Sequence, residues 1–148
     1  MIINEYPAAH PKFQQAKQYS FKHLSTTDGE GIIDHEAFDL SQKAYVATVN
    51  EQITGFLLIA EEGLLEKLAT NNLFEPHPLD GLLIQQLFVD PQFRQQGIAQ
   101  SLLASVEQLG EDLYLYVSDK NSSAKKFYAK RGFKVVGLYE TPQHNDFS

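Results

Sequence analysis

Apolar and polar positions along this chain alternate between strand-like and helix-like periods. Ile2 to Tyr6 reads as a short strand. Pro11 to Leu24 carries Phe13, Ala16, Lys17, Tyr19, Ser20 and Leu24 around successive turns, which predicts a helix. Ser25 to Glu30, rich in Thr, Asp and Gly, reads as loop. Ala44 to Val49 and Thr54 to Ile59 flank Asn50-Glu51-Gln52, the pattern of a β-hairpin. Glu61 to Ala69 fits a short helix, and Asn71 to Asp80, with Pro76 and Pro78, fits a loop. Leu82 to Val89 is the next strand. A turn leads from it into a helix from about Gly97 to Leu109, with Ile98, Leu102, Leu103, Val106 and Leu109 on one face. Leu113 to Val117 is a short, fully apolar run of the kind found inside a sheet. Asn121 is placed to cap a helix over Ser122 to Arg131, Gly132 to end it, and Phe133 to Tyr139 to form another strand. This order predicts an α/β layer with a parallel component.

With no repeat, low-complexity tract or linker, residues 1–148 are expected to form a single domain. Apolar residues at 43% and charged residues at 21% are ordinary for a globular protein, so class must be read from motifs. The absence of cysteine removes disulfides, thiolate metal sites and cysteine nucleophiles. His10, His23, His35, His77 and His144 lack ligand spacing, so no metal is expected. No apolar run has bilayer length, and the N-terminal residues lack the pattern of a signal peptide. A cytoplasmic protein without a membrane partner is therefore expected.

Charge changes the picture further. The formal net charge is −7, with thirteen acidic against five basic residues over 1–90 and six against seven over 91–148. Nucleic-acid binding is disfavoured, because it needs a concentrated basic face. The asymmetry suits a protein with an anionic ligand at its later residues and a cationic one at its earlier residues. Solubility alone also accounts for an acidic chain.

Candidate chemistry begins at Leu87-Phe88-Val89-Asp90-Pro91-Gln92-Phe93-Arg94-Gln95-Gln96-Gly97-Ile98-Ala99. A turn entering a helix N-terminus exposes backbone N–H groups without partners in the helix, and these suit a phosphate or pyrophosphate. Gly97 and Ala99 are small enough for close approach to the backbone, and Arg94 can pair with a phosphate oxygen. The alternative is that Gly97 only allows a tight strand-to-helix connection, but the strand and helix stand where a phosphate site requires them, which favours the site. A second segment, Asn121-Ser122-Ser123-Ala124-Lys125-Lys126-Phe127-Tyr128-Ala129-Lys130-Arg131-Gly132-Phe133, joins another apolar strand to another capped helix.

Together the two segments resemble the GNAT superfamily of acyl-CoA N-acyltransferases. The first matches the family's pyrophosphate loop, Gln or Arg, two variable residues, Gly, one variable residue, then Gly or Ala. The second matches its Asn-x-x-Ala-x-x-Phe-Tyr-x-x-x-Gly-Phe pattern. With the Tyr45–Ile59 hairpin, the resemblance covers roughly two-thirds of the chain. It implies a mixed α/β (α+β) fold: a mostly antiparallel central sheet with a parallel, splayed pair and helices on both faces. It implies acetyl-CoA (CoA) as cosubstrate, without a metal, and an amine of a small cationic molecule or a protein as acceptor.

Carried over by residue, the resemblance implies that the N–H groups of Gln95, Gln96, Gly97, Ile98 and Ala99, next to Arg94, hold the pyrophosphate of CoA. Leu87, Phe88 and Val89 would pair with the pantetheine arm as a further strand does. The Leu87 N–H would donate to the thioester carbonyl, where negative charge develops. Asn121 would hydrogen-bond the pantetheine or phosphate region, with Ala124 and Phe127 walling it. Tyr128 would protonate the departing thiolate, a role open to a phenol that is protonated at neutral pH. From spacing alone, Tyr128 is equally a core aromatic beside Phe127. Lys125, Lys126, Lys130 and Arg131 can reach a 3′-phosphate or serve as a solvated helix face.

The general base departs from the family pattern. Many relatives carry Glu on the strand before the pyrophosphate loop, at positions corresponding to Leu83 or Gln85, and neither residue here accepts a proton. Gln85 can instead position a water; Glu75, His77 and Asp80 are the nearest titratable residues. No Gly-x-Ser-x-Gly elbow is present, which leaves direct transfer as the expected mechanism. A binding module that holds acetyl-CoA without turnover is the alternative. Where relatives normally add a last strand, only the polar Thr141 to Ser148 follows. Either that strand is very short or the C-terminal sheet edge is open, and an open edge is expected to support a homodimer.

Overall fold

A computed structural model describes residues 1–22, 35–60, 81–117 and 119–135. They fall into two compact units, one holding every strand and the first two helices, the other the third helix with its flanks. In the first unit β1 (Ile2–Pro7), β2 (Ser41–Val49), β3 (Gln52–Ala60), β4 (Leu82–Val89) and β5 (Leu113–Leu115) form a sheet in sequence order. The first four are antiparallel and β4 pairs β5 in parallel, so the mixed sheet and its parallel pair are present as expected.

Local chemistry explains the connections. The β2–β3 turn uses two residues, Asn50 (φ 51°) and Glu51 (φ 68°), and Gln52 already pairs with Val49. Two consecutive left-handed residues match the twist of the strands, so the turn is shorter than the three residues read from sequence. The helix α1 (Pro11–Lys22) starts with proline, and His10 Nδ1 accepts the Lys12 N–H at 3.0 Å. His10 is thus a cap, a role its spacing did not reveal. The helix α2 (Ile98–Glu107) buries Ile98, Leu102, Leu103 and Val106.

Helices cover both faces of the sheet. On β3 every residue from Thr54 to Ala60 is buried, which requires cover on both sides. Phe56 and Leu58 join Phe13 and Ala16 of α1, Phe38, Ala44, Val46 and Phe88 in one cluster. Within it, ring contacts run Phe13–Phe38, Phe38–Phe56 and Phe56–Phe88 at centroid distances of 5.5, 5.1 and 5.6 Å. The alternate residue Gly55 faces the other way, toward Ile98 of α2.

Several sequence readings shift or fall elsewhere. Leu113–Leu115 is shorter than the Leu113–Val117 run and only half-buried, and Tyr116 is exposed. It ends the strand order among the described residues rather than lying inside it. Residues 133–135 form no strand, and the rest of the Phe133–Tyr139 reading lies outside the described residues. So do the Ser25–Glu30 loop, the Glu61–Ala69 helix, the Asn71–Asp80 loop and the C-terminal edge expected to dimerise. Among the described residues no helix is long and apolar enough to cross a membrane.

Gly55 is where β3 lies closest to β4. A Cβ there would stand 2.6 Å from the Phe88 carbonyl oxygen and 3.3 Å from Val89 Cα, both main-chain atoms that cannot yield alone. Gly55→Ala should therefore cost about 1–3 kcal/mol. Urea unfolding should show a lower midpoint with an unchanged slope.

Candidate active site

The site in the first unit is built on β4. Ile84 pairs with Ile59 and Gln86 with Leu58, so Gln85 is an extra residue, a β-bulge. The bulge reverses the direction of the main-chain groups. Before it, the Leu82 N–H donates to Asp112 O on the β5 side at 2.8 Å. After it, the Asp90 N–H donates to Thr54 O on the β3 side at 2.8 Å. Counting back by the two-residue period of the strand, Phe88 and Gln86 also face β3. Leu87 and Val89 therefore turn their N–H and C=O groups away from β3. Pairing with β5 covers only Leu82 to Ile84, so among the described residues no strand lies along this edge from Gln85 to Val89.

The chain leaves β4 through a buried corner. Asp90 is 4% exposed and caps a 3₁₀ turn at Pro91–Phe93, its Oδ1 accepting the Gln92 N–H at 2.9 Å. Its Oδ2 accepts from Tyr19 Oη of α1 at 2.7 Å. Burial first, and then this carboxylate, push the Tyr19 phenol far above its ordinary range. Sequence reasoning missed both residues, although Asp before a proline at a helix start signals a cap. A polar hollow of about 510 Å³ between α1, the β2–β3 turn and this corner is lined by Lys12, Gln18, Tyr19, Glu51, Asp90 and Gln92 among others. None of Leu87, Val89 or Gln95–Ala99 lines it.

Beyond the corner the backbone turns left-handed at Gln95 (φ 65°) and again at Gly97 (φ 79°), which caps α2 without a side-chain bond. A Cβ at Gly97 would meet nothing within 4 Å, so glycine is required there by its torsion and the space above it is clear. The N–H groups of Gln95, Gln96, Gly97, Ile98 and Ala99 have no acceptor among the described residues. Five donors at the positive end of a helix dipole make an anion cradle. Arg94 is exposed and spends its Nε–H on Val89 O at 3.2 Å, which holds its guanidinium beside the end of β4.

The second unit contributes α3 (Ser122–Lys130). Asn121 caps it as expected, its Oδ1 accepting the Ala124 N–H at 3.0 Å. Lys125 pairs with Asp119 at 2.8 Å, so its ammonium is already bound to a carboxylate. The helix ends in a Schellman motif. Phe133 N–H donates to Tyr128 O and Gly132 N–H to Ala129 O, each at 3.0 Å, around Gly132 at φ 95°. The motif packs Phe133 edge-on against the Tyr128 ring at 5.3 Å, and the Phe127 ring also meets Tyr128 edge-on at 5.1 Å. Ala124 and Phe127 are half-buried. Burial pushes the Tyr128 phenol up to about 12, so it is protonated throughout the neutral range.

Residues 41–135 match the family model described as an acetyltransferase (GNAT) domain. Over 105 residues the chain is 34% identical to the peptidyl-lysine N-acetyltransferase YjaB of Salmonella typhimurium, covering 69% of this chain and 70% of that protein. The chain belongs to the GNAT acetyltransferase family. Solved structures share the GNAT fold. The aminoglycoside N-acetyltransferase AAC(6')-Iy in complex with CoA aligns at TM-score 0.58 and 16% identity, over 95% of this chain and 96% of that one. Arabidopsis thaliana Naa50, in complex with the bisubstrate analogue CoA-Ac-MVNAL, aligns at 0.59 and 19%, over 92% and 85%.

Against the GNAT pattern, Leu83 is buried and apolar, and Gln85 stands on the bulge with its Nε2 buried and without a hydrogen-bond partner. Neither is a base. Glu75, His77 and Asp80 lie outside the described residues. Among the described residues no cluster of His, Asp and Glu suits a metal ion.

Because Tyr128 is held protonated, alkaline difference absorbance at 295 nm should be equal for wild type and Tyr128→Phe at pH 10.5 and diverge only near pH 12. A wild-type excess of one phenolate at pH 10.5 would show that the phenol is not shielded.

Proposed function

We propose that this GNAT protein transfers an acetyl group directly from acetyl-CoA to a primary amine, either a protein lysine or a small cationic molecule. The observation that carries the reading is the run of outward main-chain donors on one continuous segment, Leu87 and Val89 on the open edge and Gln95 to Ala99 at the start of α2. Their spacing along the chain suits a ligand with a thioester at one end of an extended arm and a pyrophosphate at the other. The peptidyl-lysine activity in the name of the YjaB relative supports the protein-amine branch.

In this reading the neutral amine attacks the thioester carbonyl carbon. The Leu87 N–H donates to the carbonyl oxygen as negative charge builds there. The C–N bond forms, the C–S bond breaks, and Tyr128 gives its phenolic proton to the departing thiolate. The proton that the attacking nitrogen sheds as it becomes an amide restores the phenol through solvent. The family resemblance assigns Asn121, Ala124 and Phe127 to the arm, and Arg94 adds charge at the phosphates. Phe88, read from sequence as part of that edge, is instead buried in the core with its main-chain groups on β3. An alkylammonium acceptor first loses a proton to a water that Gln85 orients, since the Gln85 amide cannot take it.

One observation favours a second reading. An amide at Gln85 and a buried Leu83 stand where relatives carry Glu, which suits a module that binds acetyl-CoA without turnover. Calorimetry with acetyl-CoA, followed by thiol release over a panel of lysine peptides and small amines, separates the two. Binding with turnover supports the transferase, binding without turnover on any acceptor supports the module, and no binding overturns both. Tyr128→Phe should slow transfer by about 10²-fold or more while leaving acetyl-CoA affinity close to wild type. An unchanged rate would assign Tyr128 to packing alone.

A further inference from the structure

We propose that Tyr19 is a positioning residue for the acetyl-CoA loop: through Asp90 it clamps the corner between β4 and the anion cradle. The inference rests on the reading of Gln95 to Ala99 as a pyrophosphate site. Between the end of β4 at Val89 and the helix cap at Gly97 the one regular element is the Pro91–Phe93 turn, so the separation of the two donor sets depends on that corner. Among the described residues, Asp90 makes hydrogen bonds in four directions that fix it. Its N–H reaches Thr54 O of β3 at 2.8 Å, its carbonyl accepts the Phe93 N–H at 2.8 Å, Oδ1 takes the Gln92 N–H at 2.9 Å, and Oδ2 takes the Tyr19 hydroxyl at 2.7 Å. Three of these links are local or within the sheet; the fourth alone brings in α1, 71 residues away. The Tyr19 ring also lies edge-on to Phe88 at 6.2 Å, next to Leu87.

The chemistry gives the link a second consequence. A buried carboxylate next to an anion cradle repels the ligand unless donors draw off its charge. The Tyr19 hydroxyl and the Gln92 N–H are aimed at its two oxygens, so removing the hydroxyl both loosens the corner and exposes the ligand to more of the Asp90 field. The loss should fall on acetyl-CoA and leave the acceptor amine alone.

Tyr19→Phe keeps the ring and removes only the hydroxyl. In the full chain it should weaken acetyl-CoA affinity about tenfold by calorimetry, the scale of one hydrogen bond to a carboxylate, with the KM of the acceptor unchanged. Native-state hydrogen exchange should speed up at the bonded Asp90, Gln92 and Phe93 amides while the β2–β3 amides keep wild-type rates. Asp90→Asn retains an acceptor for Gln92 and a group that can meet the Tyr19 oxygen, and it should bind more tightly than Asp90→Ala. Unchanged affinity in Tyr19→Phe, or exchange rising evenly through the sheet, would overturn the proposal. If wild type binds no acetyl-CoA, the functional reading fails by itself, and the exchange rates alone then decide whether Tyr19 holds the corner.

Discussion

One irregular residue organises this protein. The bulge at Gln85 changes which main-chain groups of β4 face β3 and which face outward. A regular strand continuing the Leu82 phase would direct Leu87 into the ladder with β3. With the extra residue, Leu87 and Val89 point out at the place where β5 has stopped pairing. An exposed strand edge is ordinarily a liability because it invites non-specific pairing. Among the described residues this edge spans Gln85 to Val89 and ends in an anion cradle, which limits what can pair with it. An extended arm carrying phosphates meets both requirements together.

The surrounding architecture keeps that edge in register. Gly55 allows β3 to approach the main chain of Phe88 and Val89 more closely than any side chain permits. The aromatic series from Phe13 through Phe38 and Phe56 to Phe88 backs the same strand from α1. Asp90 then closes the strand and starts the turn to α2. Each of these contacts fixes backbone rather than presenting a reactive side chain, as expected where the donors are amide groups. The second unit follows the same logic. A Schellman motif at Gly132 seats Phe133 on Tyr128, so the aromatic that follows the helix stop restrains the phenol at its end.

Much of this was legible in the sequence. The bounds of β4 and the position of Gly97 follow from composition and turn chemistry, both local properties. The Asn121 cap and the stop at Gly132 do as well. The bulge was not legible, because it is defined against β3, and only the tandem polar pair Gln85-Gln86 in an apolar strand hints at a slip in alternation. Nor was the Tyr19–Asp90 bond, whose partners meet only in the folded sheet. The missing carboxylate at Leu83 and Gln85 was visible from the start, and the buried, unpartnered Gln85 amide sharpens it into a question about how the acceptor loses its proton. Membership in the GNAT family defines the donor chemistry, while the acceptor depends on residues that carry no motif.

The central claim is that the outward amides of β4 and the α2 cradle bind the two ends of one ligand. Amide-resolved NMR during titration with CoA tests it most directly. The account predicts that the Leu87 and Val89 amide signals shift together with those of Gln95 to Ala99, along one saturation curve, and that their exchange with solvent slows. Shifts confined to the cradle, with Leu87 and Val89 unmoved at saturation, would contradict it.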